Sequence, residues 1–93
     1  MDYSAEQISR IEEYAGYLMR ITEIASLLDI SPDLLKADIS DKTTDVSRAY
    51  RRGKAKTMLV LRKQELDLAK VGSPLAVQLT AGYLMDMNDD EDY

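Results

Sequence analysis

TEIASLLDISPDLLKADI, residues 22–39, sets two short apolar-patterned segments either side of a tight corner, and its reading decides the fold. Ala25 is small enough for two helices to cross closely. Ile30 can plug the turn after Asp29, Ser31 can accept from the unpaired N–H groups of the next helix, and Pro32 suits that helix's first position. The segment predicts a helix-turn-helix, with a short helix from an N-cap at Thr22 through Asp29 and a third helix capped by Ser31 that carries Leu34, Leu35 and Ile39.

Upstream, Ser4 followed by Gln7 reads as a capping box, and Ile8, Ile11, Ala15 and Leu18 follow at steps of three and four, predicting helix 1 over 4–20. Residues 1–39 are thus expected to form a tri-helical head, and the polar stretch SDKTTD at 40–45 a connector. From Asp45 to about Val71 only Gly53 interrupts the pattern, so one long helix is predicted. Gly72-Ser73-Pro74 supplies a stop, a cap and a first-turn proline, turning the chain into a C-terminal helix that carries Leu75, Leu79, Tyr83 and Met87. The expected architecture is all-α: a helix-turn-helix head of three short helices, then a long helix and a C-terminal helix forming a hairpin over 46–87. The acidic run at 88–93, NDDEDY, is expected to be a disordered tail.

On the long helix Val46, Tyr50, Gly53, Thr57, Leu61, Gln64 and Leu68 share a stripe, while Leu59, Val60 and Leu66 lie off it. Apolar surface wider than one stripe calls for cover on more than one side. Tyr50, Gly53, Leu59, Leu61, Leu66 and Leu68 are therefore candidates for contact between subunits, with Gly53 allowing a neighbouring helix to approach closely. A chain of 93 residues has a thin core, and self-association would add to it.

The net charge of −5 conceals a segregated distribution. Residues 1–46 hold four basic and ten acidic side chains, residues 47–71 eight basic and two acidic, and residues 72–93 five acids alone. Arg48, Arg51, Arg52 and Lys56 are spaced to share a broad helix face flanked by Lys54, and with Lys36 on the third helix they are the candidate phosphate contacts. The third helix's other outward candidates, Asp33 and Asp38, are acidic, an unusual set for reading base edges.

Histidine and cysteine are absent, which removes the common nucleophile and base pairs and any thiolate metal site, and no Gly-rich phosphate loop occurs. Asp86, Asn88, Asp90 and Asp92 alternate like the start of a calcium loop but lack its glycine and terminal glutamate. No catalysis, metal or cofactor is expected. Neither a membrane span nor a secretory leader is visible in the sequence, so no membrane role is expected and the host cytosol is the expected compartment.

Residues 47–82, SRAYRRGKAKTMLVLRKQELDLAKVGSPLAVQLTAG, resemble the small subunits of tailed-phage terminases, the Bacteroides-type sequences in particular. The likeness lies in an AYxRGKA phrase from Ala49 to Ala55 and an LRKQxLxLAKxGSPLA phrase from Leu61 to Ala76, preceded by a helix-turn-helix head. Asp29 stands where the family's turn often has glycine. The resemblance implies a non-catalytic DNA-packaging component: a homo-oligomer, commonly a ring, that binds double-stranded viral DNA and delivers it to the terminase large subunit, which carries the motor. A small helix-turn-helix transcriptional regulator and an acidic protein-binding adaptor are the alternative readings.

Overall fold

In the computed structural model, which describes residues 2–91, the chain forms five helices and, among the described residues, no strand. They are α1 (Ala5–Gly16), α2 (Ile21–Leu28), α3 (Pro32–Ser40), α4 (Asp45–Lys70) and α5 (Pro74–Glu91). The all-α class, the long fourth helix and the C-terminal helix match the expectation from sequence. Two compact units divide the chain at Met1–Met58 and Leu59–Tyr93, so the first half of α4 belongs with the head, which is larger than the expected 1–39.

The capping box forms as read: Gln7 N–H donates to Ser4 Oγ at 3.1 Å, and Ser4 N–H donates to Gln7 Oε1 at 2.8 Å. Helix α1 nevertheless ends at Gly16 rather than at residue 20. Leu18 adopts a left-handed conformation (φ 60°), so that Leu18 N–H reaches Ala15 O at 2.9 Å and Met19 N–H reaches Tyr14 O at 3.2 Å. Those two bonds satisfy the last carbonyls of α1 and stop it. A leucine in this conformation carries no local sequence signal. The cap of α2 also differs from expectation: Arg20, not Thr22, precedes the helix, and Glu23 Oε1 accepts from the Arg20 N–H at 2.9 Å.

The corner forms in the expected manner. Asp29 is left-handed (φ 55°), Ile30 N–H donates to Ala25 O at 2.9 Å and Asp29 N–H to Ser26 O at 3.4 Å, an arrangement usually built on glycine. Ile30 is buried, and Ser31 Oγ accepts from Leu34 N–H at 3.5 Å with Pro32 opening α3. The core joins Ile11 and Ala15 of α1, Ile24 and Ala25 of α2, Ile30 of the turn, Leu35 and Ile39 of α3, and Val46 of α4.

The connector is built from capping groups. Asp41 Oδ1 accepts from Thr43 N–H and Oγ1 at 3.0 and 2.7 Å, which holds the Asp41 carboxyl below its ordinary range, and Thr44 Oγ1 caps α4 by accepting from Ser47 N–H at 3.1 Å. Ser47, fully buried, donates from Oγ to Ile39 O at 2.6 Å and ties the end of α3 to the start of α4.

In the second unit a glycine turn joins α4 to α5. Gly72 (φ 94°) places its N–H 3.0 Å from Ala69 O and lets Ser73 N–H reach Leu68 O at 3.1 Å, and Ser73 Oγ accepts from Ala76 N–H at 3.4 Å. Helix α5 continues through Glu91, so residues 88–91 are helical and not the expected disordered tail; Asp92 and Tyr93 lie outside the described residues. No proline or glycine interrupts 83–91, and acidic side chains by themselves do not break a helix.

Candidate nucleic-acid interface

Close approach of α1 to α4 creates the site. Gly53 lies against the backbone of Glu12, so near that a Cβ added there would sit 2.1 Å from Glu12 O and 3.2 Å from Ala15 Cβ. One turn further along, Thr57 donates from Oγ1 to Gly16 O. With α1 pinned to α4 in this way, Arg48, Arg52 and Lys56 line the seam as a row spaced four residues apart, rising about 6 Å per step. Arg48 and Arg52 line a groove of about 310 Å³ with Ala5 and Ile8, and Lys56 lines a second of about 350 Å³ with Ser9, Glu12 and Tyr17.

Each cation of this row has an acidic neighbour. Arg48 pairs with Asp45 and donates to Thr43 O at 2.9 Å. Glu12 bridges the other two, Oε1 lying 3.1 Å from Arg52 Nη1 and Oε2 3.4 Å from Lys56 Nζ. The Arg52 and Lys56 side chains remain 58% and 64% exposed, so water screens both pairs, and such pairs contribute about 0.2–1 kcal/mol each.

The remaining basic candidates divide. Arg51 turns away from the seam: its Nε donates to Ser47 Oγ at 3.1 Å and its Nη2 reaches Ile39 O at 3.5 Å, neutralising the carbonyl end of α3. The broad face expected to unite Arg48, Arg51, Arg52 and Lys56 therefore loses Arg51 to a structural role. Lys54 stands over the Tyr50 ring, 5.5 Å from its centroid, and Lys36 is exposed on α3.

Helix α3 presents Asp33, Lys36, Ala37 and Ser40 to solvent beside a half-exposed Leu34. Asp38, expected to point outward, instead accepts from Tyr3 OH at 2.6 Å. Burial, together with the hydrogen bond to the Asp38 carboxylate and its charge, pushes the Tyr3 phenol well above its ordinary range.

Of the six residues assigned to subunit contact, Tyr50 packs on the core and Gly53 is buried against α1, so both serve the fold within the chain. Leu59, Leu61, Leu66 and Leu68 are exposed, as are Leu75, Val77, Leu79, Leu84, Met85 and Met87 of α5. Among the described residues of 59–90 Ala76 alone is buried. A groove of about 540 Å³ runs between Leu66, Val77, Ala81, Leu84 and Met87, with Arg62 stacked over Tyr83 at 4.8 Å on its rim.

Sequence reasoning missed Glu12 as the partner of Arg52 and Lys56, because 40 and 44 residues separate them. Among the described residues no helix is long and apolar enough to cross a membrane, and no cluster of potential metal ligands occurs. Comparison with protein-family models, curated proteins and solved structures finds no match for this chain.

Proposed function

We propose that the chain is a non-catalytic, homo-oligomeric component of a phage DNA-packaging terminase, which binds double-stranded viral DNA through its head and delivers it to the large motor subunit in the host cytoplasm. The observation that carries the DNA part is the row Arg48, Arg52 and Lys56, exposed along the seam between α1 and α4 of a helix-turn-helix head. A fixed row of cations on a rigid seam suits a phosphate backbone, and its weak ion pairs are exchangeable for phosphate contacts. With a single cation among Asp33, Lys36, Ala37 and Ser40, α3 suits weak sequence preference rather than base reading.

The oligomeric part rests on the second unit. A two-helix segment below about 40 residues with so little buried surface needs apolar cover to fold, and α5, whose exposed apolar residues from Leu75 to Met87 are not confined to one face, requires it from more than one direction. Further copies of the chain supply that cover, as the packaging role requires. A protein-docking role for the α2–α3 corner is the second reading, favoured by the half-exposed Leu27 and Leu34 beside the acidic Glu23 and Asp33.

The test is duplex binding across a salt series. Changing Arg52 and Lys56 together to alanine is expected to weaken binding to unrelated duplexes alike and to flatten the salt slope by about 0.9 log unit for each phosphate the pair neutralises. Unchanged affinity and slope refute the interface, and failure of the unaltered protein to bind any duplex at low salt favours the docking reading.

A further inference from the structure

We infer that Arg52 and Lys56 form a seat for a single backbone phosphate, which Glu12 occupies as a stand-in when nucleic acid is absent. The inference deepens the DNA-binding reading and rests on it. Three features of the seam carry it. First, the two carboxylate oxygens divide between the two cations, 3.1 Å to the guanidinium and 3.4 Å to the ammonium, which is how two non-bridging phosphate oxygens would engage the same pair. Second, the Glu12 backbone is held against Gly53, which fixes the root of the side chain close to the two cations. Third, the cations are more than half exposed and Glu12 is 27% exposed, so an incoming phosphate can approach the pair from solvent and turn the carboxylate out.

Glu12 then sets the affinity of the head. A duplex phosphate exchanges with one anion already in place, and the cost of displacing it is the worth of two screened ion pairs, between about 1.4-fold and fivefold each.

Fluorescence anisotropy with one labelled duplex at low salt, comparing the unaltered protein with Glu12→Gln, Glu12→Asp and Glu13→Gln, tests the inference. Glu13→Gln removes the same charge from an exposed neighbour that does not bridge these cations, and so measures the general field effect. Glu12→Gln is expected to bind about three- to tenfold more tightly than the unaltered protein, and clearly more tightly than Glu13→Gln. Equal gains for Glu12→Gln and Glu13→Gln overturn the inference while leaving the Arg52 and Lys56 contacts standing. Should Glu12→Gln lose its fold in a thermal scan, Glu12→Asp decides: it keeps the net charge and shortens the reach, so a gain supports the seat and no gain overturns it. If no variant and no unaltered protein binds duplex, the DNA reading falls and the inference falls with it.

Discussion

Replacing Gly53 with alanine tests the contact that assembles the seam. In an ordinary exposed helix the change is favourable, because alanine is about 1 kcal/mol better than glycine in a helix interior. Here the new methyl would stand 2.1 Å from Glu12 O and 2.9 Å from Glu12 C, and a backbone carbonyl cannot rotate out of the way as a side chain can. Contact distances between heavy atoms are about 3.5–4.0 Å, so α1 has to retreat from α4 by more than about 1 Å. Overpacking of this kind costs about 1–3 kcal/mol, and the retreat also weakens the Thr57 hydrogen bond to Gly16 O, worth about 1 kcal/mol. The net expectation is a loss of roughly 2 kcal/mol after the helix-propensity gain is included, or roughly 10 °C in Tm for a domain of this size. Gly82→Ala is the matched control, since Gly82 lies within α5 with nothing inside 4 Å of an added Cβ; it is expected to gain about 0.5–1 kcal/mol. Thermal and urea denaturation followed by circular dichroism measure both. A Gly53→Ala protein as stable as the unaltered chain would refute the close approach and, with it, the placement of Glu12 on Arg52 and Lys56.

The Tyr3–Asp38 hydrogen bond predicts an alkaline sensitivity. The folded-state phenol is raised above its unfolded value of about 10, so the stabilisation it represents is present below that pH and is lost as pH rises above it, where the unfolded chain releases the proton first. Urea stability of the unaltered protein should therefore fall more steeply between pH 9 and about 11 than that of Tyr3→Phe, and parallel curves would contradict the assignment. The apolar surface of the second unit predicts that Leu66→Glu combined with Leu84→Glu shifts the protein toward monomers, read by native mass spectrometry; an unchanged mass distribution would remove this face from the assembly.

The parts of the fold legible in the sequence are those in which neighbouring residues satisfy one another. Ser31-Pro32 opens α3, Ser4 and Gln7 close the capping box, and Gly72-Ser73-Pro74 reverses the chain, because each hydrogen bond involved spans only a few residues. Ile30 was readable as a plug for a related reason: a lone aliphatic residue between Asp29 and Ser31 has little to do in a turn unless it is buried. The early end of α1 was not readable, since Leu18 takes a left-handed conformation that leucine ordinarily avoids. Nor could the length of α5 be judged from its charge, because acids placed near a helix C-terminus oppose its dipole by only about 0.3–1 kcal/mol each, too little to fix where the helix stops.

Spacing along one helix tells which side chains share a face but not what stands opposite that face, and the basic segment shows the consequence. Arg51 and Arg52 are adjacent, yet one stabilises the carbonyl end of α3 through Ile39 O and the other meets Glu12 on α1. The glycine between the two halves of the basic run decides the difference. Because Gly53 lacks a side chain, α1 comes near enough for its Glu12 carboxylate to reach Arg52 and Lys56. Any larger residue would move α1 outward, leave the same cations on the same helix face, and dissolve the seam that orders them. The binding reading thus depends less on the number of basic residues between 47 and 71 than on a small residue and an acid 41 positions apart, neither of which counts as basic.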